Sequence, residues 1–215
     1  MKKIESTSLA QAVYDRIRSM IVNGDLVPGS RLNKKVIADT LAVSLTPVND
    51  AVRRLEGERL VVESGKEGYV VRSYTDKDLA DIYVLRAGIE SIAARLCALE
   101  ASDEELSRIT AFFCSYELPV PPSRTHEYLE EDKRFHGTIL AVAGIPLLVD
   151  MDGFYGYMIK SYGKGLMRAP SETLHEHRQI IAALAARNSK LASELMTTHH
   201  LVSRQRLLER KTASA

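Results

Sequence analysis

The sequence predicts a mainly α-helical protein, with an N-terminal winged helix-turn-helix (three helices plus a β-hairpin) over residues 1–74 and an all-α helical bundle over residues 75–215. Three observations carry that expectation. Apolar residues recur at helical spacing through most of the chain. Residues 60–71 instead cluster Val and Tyr on either side of glycines, a strand-turn-strand pattern. Two capping boxes, Thr75 with Asp78 and Ser102 with Glu105, open helices just past a break at Ser73-Tyr74.

The 215 residues are 45% hydrophobic and 27% charged, a balance suited to one or two globular domains with real cores. Met1-Lys2-Lys3-Ile4-Glu5 leads into no apolar stretch and the longest apolar runs are a few residues, so neither a signal peptide nor a membrane span is expected, and the expected compartment is the cytoplasm. Cys97 and Cys114 stand singly within helical patterns, which points to buried reduced thiols rather than a disulfide or a thiolate metal site. Residues 1–74 hold 12 Lys/Arg against 9 Asp/Glu, and the remainder 17 against 19. The sign suits a phosphate-facing first unit, but so small a difference does not establish one.

The first helix is expected to start at Ser8, with Gln11 completing a capping box, and to bury Leu9, Val13, Ile17, Met20 and Ile21 before Asn23-Gly24 ends it. After a Pro28-Gly29 turn comes a short helix from about Lys34 to Leu41. Thr46-Pro47 reads as an N-cap followed by proline at the first helical position, opening a third helix that runs to about Glu58. Leu60-Val61-Val62 and Tyr69-Val70-Val71 flank Glu63-Ser64-Gly65-Lys66-Glu67-Gly68, whose glycines permit the tight reversal of a wing. Such a module has a physical job. A helix fits the major groove, residues near its N-terminus reach base edges, and the wing and preceding helix meet phosphates.

Further helices are expected at roughly 76–100, 103–118, 125–143, 146–161, 172–187 and 189–210, separated by the loop Pro119-Val120-Pro121-Pro122-Ser123, by Gly144-Ile145-Pro146, by the Gly163 to Pro170 region and by Asn188-Ser189. No strand-type alternation interrupts them, so they form a bundle.

Within that bundle Asp132 and His136 are four apart and share a helix face, where a carboxylate and an imidazole can hold one ion. His177 and His199 fall on two later helices, which an antiparallel hairpin can bring together. Three imidazoles and one carboxylate suit Zn²⁺, Ni²⁺, Mn²⁺ or Fe²⁺ with one or two positions open. From spacing alone, Asp-x-x-x-His is more often an ordinary helix-surface hydrogen bond. His126, His175 and His200 read as surface or outer groups. Arg86, with Glu90 one turn on, is either an i,i+4 ion pair or a fork for an organic acid.

Gly24-Asp25-Leu26-Val27-Pro28-Gly29-Ser30-Arg31-Leu32, Ile37-Ala38, and Val43-Ser44-x-Thr46-Pro47-Val48-x-x-Ala51-Val52-Arg53-Arg54-Leu55-Glu56 resemble the reading head of the GntR family of bacterial repressors, over residues 9–72. The resemblance implies contacts to double-stranded DNA from Lys34, Lys35, Ser44, Leu45, Thr46, Asn49, Arg53 and the wing residue Lys66. Arg53 and Arg54 adjoin on a helix and cannot share a face, so one is expected to contact DNA or the next domain while the other pairs with a carboxylate such as Glu56 or Asp50. The family carries arginines where this chain has Leu45 and Asn49. Arg pairs with guanine, whereas Asn favours adenine and an aliphatic chain suits the thymine methyl, so the operator is expected to shift towards A·T there; weakened specific binding is the alternative.

Leu85-Arg86-x-x-Ile89-Glu90, Asp132-Lys133-Arg134-Phe135-His136, Glu176-His177-Arg178-x-Ile180-Ile181-x-Ala183-Leu184 and Met196-x-x-His199 resemble the FCD effector domain that accompanies this head. That resemblance implies a divalent metal on Asp132, His136, His177 and His199, a small carboxylate effector with Arg86 in its cavity, and a homodimer on a palindromic operator. Tyr83, Tyr128, Tyr155, Tyr157 and Tyr162 are candidates to line the cavity. A regulator that senses ligand without specific DNA binding, and a metal-dependent hydrolase, are the competing readings.

Overall fold

The computed structural model describes residues 5–65, 68–151 and 168–212, and the chain separates into two compact units between Tyr74 and Thr75. Lys66, Tyr155, Tyr157 and Tyr162, with most of the helix expected over 146–161, lie outside the described residues.

In the first unit, α1 (Glu5–Asn23) begins earlier than Ser8. Gln11 does not cap it: its side chain donates to Asp15 Oδ1 at 2.9 Å and accepts from Arg54 Nη1 at 2.7 Å. Val13, Ile17 and Ile21 face the core as their spacing requires, but Leu9 is exposed. The Pro28-Gly29 turn closes through Ser30 N–H to the Val27 carbonyl at 3.0 Å, and Gly29 takes φ +81°, the left-handed value that the third residue of such a turn demands. Helix α2 (Lys34–Leu41) is capped by Asn33, whose side chain accepts from the N–H groups of Lys35 and Val36. Helix α3 (Leu45–Gly57) starts at Leu45 after Ser44, so Thr46 lies inside it rather than capping it. Pro47 is accommodated because N–H groups of a first turn have no intrahelical acceptor. Strands β1 (Val61–Glu63) and β2 (Tyr69–Val71) pair antiparallel with Val61 opposite Val71, and Arg31 bridges Val70 on β2's other edge. Ile17, Val48, Leu55, Leu60 and Val71 form a fully buried centre under this arrangement, each contributing on the order of 1.5–3 kcal/mol through its burial.

The second unit opens with α4 (Asp76–Glu100), whose Thr75–Asp78 capping box is formed in both directions. Helix α5 (Asp103–Thr110) has the Ser102–Glu105 box but stops well short of residue 118. The chain turns there: Phe113 adopts φ +61° and its N–H donates to the Glu131 carboxylate at 2.6 Å, which no pattern of residue types announces. After a single 3₁₀ turn (Pro122–Arg124) come α6 (Thr125–Val142), helical residues 146–151, α7 (Pro170–Ala185) and α8 (Ser189–Thr212). Helices α4 and α8 pack along much of their lengths, with α6 against α4 and α7 against α8. Phe113, Phe135, Ile139, Leu140, Leu174, Ile180 and Leu184 fill the core between them. Cys97 is buried there, its thiol pushed up to about 12 by desolvation, whereas Cys114 is exposed, contrary to the expectation of two buried thiols. Among the described residues no helix is long and apolar enough to cross a membrane.

Candidate metal centre and nucleic-acid face

Four helices of the second unit bring their polar side chains to one buried point. Tyr128, Asp132 and His136 follow one another at four-residue spacing on the inner face of α6, beside Phe135 and Ile139. Helix α7 adds Thr173, Glu176 and His177, α8 adds His199 and His200, and α4 adds Arg86 and Glu90. One ring nitrogen from each of His136, His177 and His199 lies within 4.8 Å of the others, and all three rings are buried. Asp132 Oδ1 stands 3.2 Å from His177 Nε2 and 4.0 Å from His136 Nε2. The four residues implied as metal ligands therefore share one location, with Asp132 the most exposed at 26%.

The outer nitrogens of these rings are already committed. His136 Nδ1 meets Glu90 Oε2 at 2.5 Å, His177 Nδ1 meets the Tyr128 hydroxyl at 2.9 Å, and His199 Nδ1 meets Glu176 Oε2 at 2.7 Å. Tyr128 is itself tied to Thr173 Oγ1 at 2.8 Å, and Glu176 accepts from Arg168 Nη1 at 2.7 Å. A ring that donates through Nδ1–H to a carboxylate presents a lone pair at Nε2, the arrangement in which histidines hold metals. Phe113 stacks on the His177 ring at 4.6 Å and 11°, fixing its plane.

The protonation states suit a ligand set. Burial, followed by the neighbouring imidazoles, pushes His177 well below its ordinary value; burial also lowers His199 and His200 against the opposing pull of Glu176 and Glu90. Neutral imidazoles are ligands, and imidazolium is not. Burial raises Glu90, but Arg86, His200 and His136 outweigh it and hold that carboxyl well below the usual range; Glu176, raised by burial and lowered more by His199 and Arg168, sits at about 2. Among the described residues His177 Nε2 is buried without a hydrogen-bond partner despite its nearness to Asp132. An orphaned nitrogen aimed at two other imidazoles and a carboxylate fits a divalent ion of the zinc, nickel or manganese type.

Arg86 is not a free fork. Its Nε donates to Glu90 Oε1 at 2.6 Å and its guanidinium lies over Tyr83 at 5.5 Å, with side chains of Arg86 and Glu90 only 11% and 2% exposed. This ion pair is buried, so it is structurally costly to break rather than a weak surface contact. His200, read from sequence as a surface or outer group, is 0% exposed, its Nε2 2.9 Å from Glu90 Oε2. The signal that places it inside is the run Met196, His200, Ser203, Leu207, one buried stripe of α8. Glu90 had a comparable signal, a lone carboxylate among Ala87, Ser91, Ala94 and Cys97 on the inward side of α4. His126 and His175 are exposed.

In the first unit Leu45, Asn49 and Arg53 follow at four-residue spacing along α3 and share a face, with Leu45 49% exposed, Arg53 exposed and Asn49 half-buried. Ser44, Thr46 and Lys35 are exposed, and Lys34 lies over the Tyr69 ring at 5.2 Å. Arg54 points the other way. It stacks on Tyr14 at 3.8 Å and donates to Gln11, fastening α3 to α1, so its partners are not Glu56 or Asp50. Glu56 instead accepts from the Tyr69 hydroxyl at 3.1 Å.

Comparison with known proteins agrees with both units. Residues 9–71 match the family described as bacterial regulatory proteins, gntR family, and residues 81–201 match the FCD domain. The uncharacterized HTH-type transcriptional regulator YdhC of Bacillus subtilis is 28% identical over 192 residues, covering 86% of this chain and 85% of that protein. The HTH-type transcriptional repressor GlaR of Escherichia coli is 26% identical over 199 residues, covering 87% and 90%. The solved structure of Escherichia coli McbR/YncC superposes with a TM-score of 0.67 at 18% identity, over 94% of this chain and 98% of that one, and so shares its fold. These relatives are transcriptional regulators rather than enzymes. The chain belongs to the GntR family of transcriptional regulators, with an FCD domain following its DNA-binding head.

Proposed function

We propose that this protein is a metabolite-responsive repressor that works in the cytoplasm as a homodimer on a palindromic operator. Its helical unit holds a divalent cation on Asp132, His136, His177 and His199 and receives a small organic acid against that cation and Arg86. One observation carries the reading: the buried imidazoles of His136, His177 and His199, each tethered at Nδ1, converge with the Asp132 carboxylate, and His177 Nε2 among them has no hydrogen-bond partner among the described residues. The cation gives an organic acid a Lewis-acid anchor, and Arg86, its Nε committed to Glu90, adds what its remaining guanidinium nitrogens can donate. A relative, GlaR of Escherichia coli, is a transcriptional repressor, which supports the repressor part of this reading.

A second copy of the chain has a surface to meet. Leu85, Ile92 and Leu99 recur every seven residues on α4 and are 50%, 50% and 55% exposed. A helix that is apolar on this side as well as on its core side suits burial on both. Two-fold pairing would then set the two α3 faces on successive half-sites of a palindrome.

Selection from a random duplex library, with the protein as isolated and again after chelation, tests the reading directly. An enriched palindrome that organic acids modulate only in the metal-loaded protein supports it. Folded, dimeric protein that enriches nothing in either state removes the DNA half and leaves a sensor without an operator.

A further inference from the structure

His199 is held by a chain of contacts that begins outside α7. Its Nδ1 lies 2.7 Å from Glu176 Oε2, and because a carboxylate only accepts, the ring nitrogen is the donor. Arg168 closes on the same carboxylate from the other side, donating from Nη1 to Oε2 at 2.7 Å and from Nη2 to Oε1. One planar fork thus grips both oxygens, the two-point geometry that fixes the plane of a carboxylate as well as its position. Arg168 precedes the helix it grips, since Ala169 is the N-cap of α7 and Pro170 its first residue. Its side chain passes Glu172 on the way. Nε is buried 3.6 Å from Glu172 Oε2 and, among the described residues, has no hydrogen-bond partner. An unsatisfied buried donor is unfavourable, so the guanidinium forgoes a bond to Glu172 while keeping both bonds to Glu176.

Glu90, which tethers His136, shows why Glu176 needs a fork. Glu90 accepts from Arg86 through Nε, and its side chain is only 2% exposed, so packing holds it in place. The Glu176 side chain is 25% exposed, and a long side chain with solvent on one side keeps rotamer freedom unless something removes it. Arg168, with its own side chain 4% exposed, is rigid enough to do so. We propose that Arg168 is a positioning residue for His199: by clamping both oxygens of Glu176 it holds the ring in its Nδ1–H tautomer and leaves Nε2 as the lone-pair nitrogen. The use of that lone pair by a cation rests on the proposed metal site, but the tautomer does not. By charge alone a guanidinium beside the site disfavours a divalent cation, so position and charge predict opposite effects of removing it.

The test is nitrogen NMR of the full-length chain with isotopically labelled histidine, chelated and then titrated with zinc, for the wild type, Arg168→Lys and Arg168→Met. Wild-type His199 should show a single tautomer, protonated at Nδ1. Arg168→Lys keeps the charge, but one ammonium does not reproduce the fork, so His199 should move towards an average of both tautomers. Zinc, read by competition with a chelator, should bind it about tenfold more weakly. His177 is tethered by Tyr128 instead, so its unchanged resonances report that the variant is folded. Arg168→Met should also weaken zinc; tighter binding would show a purely electrostatic residue and overturn the proposal. In a Glu176→Gln background the fork is already broken, and Arg168→Lys should add nothing; a further loss there also overturns it, because Arg168 then acts through another group. Wild-type tautomer and affinity in Arg168→Lys overturn it directly. Averaged tautomers in Arg168→Lys, in a protein whose wild type takes up no zinc, support the positioning of His199 and remove the metal site.

Discussion

His136 on α6 and Glu90 on α4 meet at 2.5 Å between Nδ1 and Oε2, although 46 residues separate them, so one contact sets both the tautomer of a candidate ligand and the register of two helices. Glu90→Gln keeps the shape and removes the charge. Losing an outer partner of a ligand histidine typically weakens a metal site 10–100-fold, and that is the expected drop in zinc affinity by competition with a chromophoric chelator. Arg86 would also lose its buried counter-charge, so the melting temperature should fall, consistent with a cost of about 3 kcal/mol. Unchanged zinc affinity in a folded variant would mean that Glu90 serves packing alone.

Tyr128 separates orientation from charge. Its hydroxyl links His177 Nδ1 to Thr173 Oγ1 inside the core, while its ring packs on Phe113 and Tyr116. Tyr128→Phe preserves the ring and leaves two buried groups without a partner, costing about 1–3 kcal/mol of stability. Zinc affinity should weaken by roughly tenfold, since His177 then chooses its tautomer freely. Urea titration of the chelated protein reads the first effect and zinc competition the second; an affinity equal to wild type would sink the orienting role.

Much of this was legible in residue order. Periodicity and capping boxes predict α2, α4, α6 and the hairpin because local rules and burial agree there. They misplace the ends of α1 and α5, where distant partners decide: Arg54 takes Gln11, and Glu131 takes the Phe113 N–H. The four candidate ligands have the right side-chain types, but it is the family resemblance rather than spacing that singles them out; His200 and Glu90 have only the apolar stripe around them as a signal, because a charged or titratable residue reads as surface until a facing helix closes over it. Here α4 and α8 close over both.

The same burial predicts an acid-labile apoprotein. His177, His199 and His200 are held below their ordinary value, chiefly by desolvation. Below pH of about 6.5 the unfolded chain therefore binds protons that the folded chain refuses, and stability falls as pH falls, by up to about 1.4 kcal/mol per pH unit for each histidine. Glu176, at about 2, acts in the same direction lower down: its contribution is present above its unfolded value and is lost as pH drops through its folded one. Urea midpoints of chelated protein should be clearly lower at pH 5.5 than at pH 7.5. Equal midpoints would contradict neutral burial of these rings.

The exposed face of α3 makes a prediction about sequence. Leu45 begins the helix and Asn49 lies one turn on, so both are placed to reach the same groove, with Arg53 beyond them. Leucine offers methyl groups that suit thymine, and asparagine pairs with adenine, so duplexes selected by the wild type should carry A·T pairs at the two positions these residues read. The double variant Leu45→Arg, Asn49→Arg should move both positions to guanine and tighten binding, each arginine adding about 1–3 kcal/mol of discrimination. Because Leu45 is exposed and Asn49, though half-buried, is no part of the apolar core, stability should change little, which separates altered reading from altered folding. Guanine already fixed at both positions in the wild-type selection would show that other side chains do the reading.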